Sequence, residues 1–358
     1  MKRKMSHAAI ATAMVLSSQS AFAFIAGSWN VKQLGWGDHK EYEQVAHIAQ
    51  SMDLIALQEV MSPEALETLV EVMEQSSGEE WGVMASRAIG RGSYEEHYAY
   101  VWRESAVDYS GQAVIFLDSR DIFSREPFLA KFRSEKTGQE VAFANIHVLY
   151  GDSVGDRLPE IQALDDIWDF MSETYPGIPR VIAGDFNLDP GHPGWSELTE
   201  QGVRPMFREG ATTLSSHDGR YANLYDNLWL KPGELDITDA GMIRFPEVLG
   251  ISHEVARKKV SDHAPIYMAL EGAELQLQAY DAGAGVTLSD SAYGAPECIN
   301  LNTASQAELE ELPHIGPSRA ELILQDGPWS GAKSLQRIRG LGDSRTQDIE
   351  DSGMLCAG

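Results

Sequence analysis

Positive charge is in short supply in this chain. Against 54 Asp and Glu it carries 28 Lys and Arg, a formal net charge of −26 over 358 residues. So acidic a chain has no global basic face to offer nucleic acid, which excludes a tight, non-specific DNA coat protein. Enzymes stay open, because bound divalent cations and a few local arginines can neutralise phosphates. Long hydrophobic runs are missing too: beyond the first two dozen residues none is long enough to cross a bilayer. Cysteine is nearly absent, with Cys298 and Cys356 the only two, at the edges of the C-terminal segment. In an exported chain such a pair reads as one disulfide, two free thiols being the alternative. Closing a loop of that size contributes about 4 kcal/mol in the chain-entropy model.

What is present begins with an export signal in form. Lys2, Arg3 and Lys4 give a basic start, residues 8–16 an apolar middle, and Ala21-Phe22-Ala23 a small-x-small cleavage site. The mature chain is expected to begin near Phe24, with a net charge of −29 once those three basic residues are lost. From 25 to 270 short β-like runs alternate with amphipathic helices. Strands are expected at 25–31, 54–57, 81–85, 98–102, 114–117, 128–132, 141–146, 181–183, 224–230 and 267–270. Helices are expected after an Asp38 N-cap with Tyr42, Val45, Ile48 and Ala49 on one face, from Pro63 to about Gln75, and over 159–171. Many strands with few helices predict an α/β protein, a four-layer α/β sandwich of two packed sheets flanked by helices, over 24–272. Residues 273–297, rich in Gly, Ala and Ser, read as a linker. Residues 298–358 turn short-helical, and an I-G or L-G pair precedes a helix start in each half, a weak internal repeat.

Several apolar runs end in short polar clusters: SWN (28–30), LQEV (57–60), NIH (145–147), GDFN (184–187), YDN (225–227) and SDHAP (261–265). Cutting a phosphodiester needs a hard cation on the phosphate, an activated water and a proton for the leaving oxygen. Magnesium favours one or two carboxylates and keeps several waters. Glu59 is placed like such a ligand, with Asn30 and Asp262 as natural companions. Asp185 and Asn187 offer a carboxylate and an amide on one loop, suited to orienting water or a phosphate oxygen. His147 and His263 each need an orienting carboxylate, which Glu96 and Asp226 can supply. Singly, each is an ordinary turn or surface residue; the ordered set carries the weight.

In that order the clusters resemble the endonuclease/exonuclease/phosphatase superfamily, and within it the deoxyribonuclease I branch. The stretch RGSYEEHYAYVWR (91–103) discriminates, and TTLSS (212–216) and LYDNLW (224–229) continue the likeness. The resemblance implies that Glu59, Asn30 and Asp262 hold a divalent metal. It implies acid–base histidines in the pairs His147–Glu96 and His263–Asp226, leaving open which is acid and which is base. Asp185 and Asn187 would position water and the scissile phosphate, and Arg91 and Tyr94 would touch the DNA backbone. Vertebrate deoxyribonuclease I proteins have disulfides and structural calcium sites inside this domain. Here it has no cysteine, so Mg2+ or Mn2+ is expected to suffice, with Ca2+ the third option.

The C-terminal segment resembles the double helix-hairpin-helix domain of bacterial competence proteins, on INLNTASQAELEELPHIGPSRAELIL (299–324) and on DGPW followed by RGLG. That implies phosphate binding by backbone N–H groups at the turns carrying Gly316, Gly340 and Gly342. His314 stands where a glycine is common. The whole reads as a secreted, metal-dependent endodeoxyribonuclease of little sequence specificity. It would act on DNA, most readily double-stranded, as a monomer without an obligate protein partner. Two rivals remain: a phosphodiesterase for lipid headgroups or sugar phosphates, and a non-catalytic DNA-capture protein.

Overall fold

Period-two alternation of large apolar side chains builds the interior. Along β5 (Tyr94–Arg103), Tyr98, Tyr100 and Trp102 point to one face and Ala99 and Val101 to the other. Both faces are buried, so the strand packs between two layers. The computed structural model describes residues 24–280 and 299–356, apart from 38, 92–93, 217–218, 305, 307–308, 310–311 and 352–354. The expected signal segment, most of the linker, Asp38 and Cys298 lie outside the described residues, and the helix that Asp38 was expected to cap begins at Tyr42 with Glu41 as its N-cap instead.

Two mixed sheets result. The first runs β12 (Ile237–Met242), β13 (Ile266–Leu270), β1 (Ile25–Leu34), β2 (Leu54–Val60), β5 and β3 (Trp81–Ala85), with β4 (Ile89–Arg91) also on β5. The second runs β10 (Arg204–Pro205), β11 (Asp226–Leu230), β9 (Arg180–Asp185), β8 (Glu140–His147), β7 (Phe128–Ser134) and β6 (Val107–Ile115). Between them lies a core in which Tyr100 and Trp102 meet Phe132 and Phe143. The outer face of the first sheet is covered by α1 (Tyr42–Ala49) and α2 (Pro63–Ser77) through Val45, Ile48, Leu66 and Leu69. The outer face of the second is covered by α3 (Val154–Gln162) and α4 (Leu164–Thr174) through Ile161, Ile167, Trp168 and Met171. Helix, sheet, sheet and helix make the expected sandwich.

Three local readings need correction. The helix expected at 159–171 starts earlier, under a Ser153–Asp156 capping box, and divides at Ala163, so Pro159 lies inside α3 rather than opening it. β6 occupies 107–115 where the sequence pattern predicts only 114–117, and β12 forms where that pattern predicts no strand. Both are edge strands with half-exposed Ser, Gly, Gln, Thr and Asp, which blurs the alternation. Residues 273–280 run back over the outer layer, with Tyr280 N donating to Val248 O (3.2 Å) and Leu275 packing on the helix-side core.

At the C-terminus, helices Pro317–Asp326 and Asp343–Asp351 and a 3-10 turn at Ala332–Arg337 enclose their own small core of Leu309, Leu312, Ile323, Trp329, Leu335 and Ile349. Its ends meet: Ile299 pairs with Leu355, and Cys356 N donates to Ile299 O (3.1 Å). The Cys356 sulfur is in a disulfide.

One topological fact positions the chemistry. The parallel pairs β1–β2 and β8–β9 send their C-terminal ends to one rim. β13, β5 and β11 are antiparallel to β1, β2 and β9, so they bring their N-terminal ends to that same rim.

Candidate active site

Asn30, Glu59, His147 and Asp185 sit at or near the ends of β1, β2, β8 and β9, while Glu96 and Asp226 sit near the starts of β5 and β11 and His263 just ahead of β13. Backbone irregularities aim them. The β1–β2 register slips between Asn30 and Leu34, where Lys32 and Gln33 take positive φ (43° and 52°). The β2–β5 register slips between Leu57 and Val60, and Glu59 itself has φ 59°. Such bulges re-aim side chains, at a cost of order 1–3 kcal/mol for a non-glycine residue in this region. Gly184 (φ 153°) solves a different problem: a Cβ there would lie 1.8 Å from Ile146 O, so only glycine lets β9 close on β8 beside His147 and Asp185.

The side chains converge. Asn30 Nδ2 donates to Glu59 Oε1 (2.8 Å) and to Asp185 Oδ2 (3.1 Å), and Gln33 N donates to Glu59 Oε2 (3.0 Å). His147 Nδ1 faces both oxygens of Glu96 (2.9 and 3.1 Å), leaving its Nε2 3.7 Å from Asp185 Oδ2 and 3.9 Å from Glu59 Oε1. His263 repeats the pattern: Nδ1 meets Asp226 Oδ2 at 2.8 Å, and Nε2 lies 3.6 Å from the same Asp185 oxygen. Both histidines are thus held from behind by a buried carboxylate and turned towards one centre. Asn187, at φ 50°, closes the GDFN loop by donating its N–H to Asp185 Oδ1 (2.9 Å) and its amide to Val148 O (2.9 Å).

Burial sets the electrostatics, and neighbouring charges decide its outcome. Burial and Arg125 both push the His147 imidazole down, yet Glu96 and Asp185 outweigh them and its pKa stands above the ordinary 6.5. Burial likewise opposes the His263 imidazolium, but Asp226, Asp185 and Asp262 raise its pKa well above that value. Glu96 is depressed, because His147 and Arg125 overcome its burial. Glu59 is raised: burial dominates, and the favourable His147 is offset by Glu96 and Asp262.

Among the described residues no lysine or arginine forms an ion pair with Glu59 or Asp185. Oxygen donors left buried without a cation are a fitting donor set for a hard divalent ion. Asp185, Asp226 and His263 also place one ligand atom each within 4.8 Å of one another, and Asp226 Oδ1 is buried without a hydrogen bond.

Not every expected residue joins this cluster in the same way. The Asp262 carboxylate pairs with Arg257 (3.4 Å) and Lys32 (3.9 Å), which with Lys40 hold its pKa far below the usual carboxylate range despite burial. Arg91 donates to Asp121 and to Phe123 O, and half-buried Tyr94 packs on Trp36. In the C-terminal unit Gly316 and Gly342 stand at the starts of the two helices. Gly340 (φ 89°) and His314 (φ 64°) both adopt left-handed backbone, so His314 occupies a conformation glycine usually fills.

Several supporting residues escaped the sequence reading. Arg125 is buried, 3.7 Å from Glu96 Oε1, and its Nε donates to His147 O (3.1 Å). His147 N donates to the Tyr98 hydroxyl (2.7 Å). Ser261 Oγ donates to Asn30 O (2.6 Å) and accepts from His263 N (3.0 Å). Lys40 Nζ donates to Val31 O and Val260 O, with burial and Lys32 pulling its pKa down to about 7. Ser261 and Tyr98 lay inside quoted motifs; Arg125 and Lys40 carry no local signal.

No family model matches the chain. A protein named "Deoxyribonuclease" from Thioalkalivibrio sp. (strain K90mix) is 44% identical over 357 residues, covering 97% of this chain and 96% of its own. "Deoxyribonuclease-1" of Homo sapiens is 27% identical over 272 residues, 71% of this chain and 94% of that one. A solved structure described as a functionally unknown conserved protein from Enterococcus faecalis V583 aligns with a TM-score of 0.51 at 14% identity, over 68% of this chain and 98% of that one. At that identity the likeness shows the fold alone.

Proposed function

Since the chain belongs to the deoxyribonuclease I-like branch of the endonuclease/exonuclease/phosphatase superfamily, we propose that it is a divalent-metal-dependent endodeoxyribonuclease of little sequence specificity. One observation carries this reading: two carboxylate-backed histidines direct their Nε2 atoms at one oxygen of Asp185, beside Asn30 and Glu59.

Glu96 and Asp226 accept from the Nδ1–H of their histidines, which fixes the tautomer and leaves each Nε2 to exchange a proton at the centre. The neutral member takes a proton from water as its oxygen attacks phosphorus. The protonated member gives its proton to the oxygen that leaves as the P–O bond breaks. Asp185 and Asn187 orient the water and a phosphate oxygen. Glu59 and Asn30 would hold the cation, with Asp262 at its flank. When bound, a divalent ion supplies charge neutralisation on the phosphate. By family analogy the products carry 5′-phosphates.

Export is the matching reading of the first 23 residues, and the bonded Cys356 agrees with an oxidising destination. The C-terminal unit is read as a helix-hairpin-helix module that tethers DNA near the catalytic domain; Gly340 and His314 in left-handed turns support this. A zymogram in a DNA-loaded gel tests the central proposal. Clearing with Mg2+ or Mn2+ and none in EDTA is expected, and clearing that persists in EDTA overturns the metal mechanism. Parallel assays on sphingomyelin and inositol phosphates should give no turnover.

A further inference from the structure

Tyr150 is the one aromatic side chain among the large hydrophobic residues left exposed in the described chain, at 52% exposure. It is also held firmly. The Arg157 guanidinium, itself only 7% exposed, lies 4.3 Å from the centre of the Tyr150 ring. Its Nε donates to Tyr150 O (2.7 Å) and its Nη1 to Asn187 O (2.6 Å), so one buried arginine fastens the tyrosine to the GDFN loop. The half-buried ring of Tyr225, next to Asp226, lies 5.8 Å from the same guanidinium.

The next turn adds stiffness. Gly151 takes φ 59°, and a Cβ there would come 2.6 Å from the Asp156 side chain. Asp156 Oδ2 accepts from Asp152 N, Ser153 N and Ser153 Oγ (2.9, 2.9 and 3.0 Å). An exposed ring ordinarily loses freedom on binding; this one is ordered beforehand, which lowers that cost.

Position and chemistry point to an occupant. Tyr150 lies three residues beyond His147, joined through Arg157 to the residue that closes the Asp185 loop. One ring face is taken by the guanidinium, and an exposed ring on a cation is a platform for another flat π-system. In a chain of net charge −26, backbone electrostatics contribute little to holding a polyanion, whereas stacking depends weakly on salt. We propose that Tyr150, backed by Arg157, stacks on an unpaired nucleobase of the strand being cut, next to the scissile phosphate. This rests on the deoxyribonuclease reading above.

The test is steady-state cleavage of a single-stranded oligonucleotide and of its duplex by wild type, Y150A, Y150L and Y150W. Removal of one stacking aromatic should raise KM for the single strand roughly 10-fold with kcat within about twofold, at low and high salt alike, and raise it less for the duplex. Y150W should retain wild-type KM. Y150L keeps apolar bulk without a π face and should behave as Y150A. Equal melting temperatures exclude misfolding as the cause. A Y150A KM within about twofold of wild type, or a Y150L that matches wild type, overturns the stacking role and leaves the nuclease reading intact. A wild type that cuts no DNA with any divalent ion takes both down.

Discussion

Replacing Glu96 by Gln removes one charge from a fully buried position and tests the whole logic of the site. The carboxylate faces His147 Nδ1 at 2.9 and 3.1 Å and Arg125 Nε at 3.7 Å. Without it, burial and Arg125 both act to discharge His147, and Asp185, with Glu59 3.9 Å away, is left to oppose them. An opposite charge at this range typically moves a pKa by about 1–3 units. The His147 limb of the pH–rate profile should therefore fall by about that amount. If the acid limb moves, His147 is the base; if the alkaline limb moves, it is the acid. An amide can also present N–H to Nδ1 and favour the wrong tautomer, so kcat should drop by about 10²–10⁴-fold at neutral pH.

Stability should respond too. Arg125 would stay buried with one counter-charge fewer, at a cost of about 3–5 kcal/mol. For a domain of this size that lowers Tm by about 6–20 °C. The signs define a pH window. The raised His147 pKa contributes stability that is full below 6.5 and lost as pH climbs through its folded value. The depressed Glu96 contributes above 4.5 and is lost as pH falls through its folded value. The gap between wild type and E96Q should therefore be widest between pH 4.5 and 6.5. Profiles of kcat/KM against pH and thermal unfolding across pH measure both effects. An E96Q enzyme with both limbs in place and activity within about threefold of wild type would refute the assignment of Glu96 as the partner that charges His147.

Two further outcomes follow from the same geometry. Glu59 is a buried carboxylate whose pKa burial raises, so E59Q should need at least about 10-fold more divalent ion for half-maximal activity, and the rise in Tm that Mg2+ gives wild type should shrink; an unchanged metal titration would remove Glu59 from the metal site. Reduction of the bond at Cys356 should cost the C-terminal unit about 4 kcal/mol and expose it to limited proteolysis, leaving cleavage of short DNA intact; a unit equally resistant when reduced would show that its core suffices alone.

The strand ends were legible because a buried run that stops at a polar residue marks both the strand and its rim. NIH and GDFN signalled His147 and Asp185 in this way, and β8 and β9 pair in parallel to bring them together. Within the site, two things were not legible. Long-range partners were one: Arg125 reaches His147 O from 22 residues away and Lys40 reaches Val260 O from 220, and no periodicity encodes either. Backbone irregularity was the other. Glu59 meets Asn30 because β2 bulges at φ 59°, and a regular β2 would aim its side chain elsewhere. Edge strands failed for a third reason. In β12 the sequence ITDAGM is half exposed, so burial never imposed alternation on it.

How so acidic a chain admits a polyanion is answered by where its cations are spent. Arg125 is bound to Glu96 and His147 O, Lys40 to two carbonyls, Lys32 to Asp262 and Arg257 O, and Arg257 to Asp262 and Leu214 O. Each acts as an internal strut that fixes a strand end or a loop. The carboxylates at the centre, Glu59 and Asp185, have amide, backbone N–H and imidazole neighbours instead. A phosphate approaching them meets repulsion that these four cations, already paired, do not cancel, and at short range in a buried site that repulsion amounts to several kcal/mol. On the proposed reading, a divalent ion from solution joins the protonated histidine in meeting the substrate's charge. The metal requirement then arises from the charge balance of the fold, and removing the ion should abolish turnover rather than merely slow it.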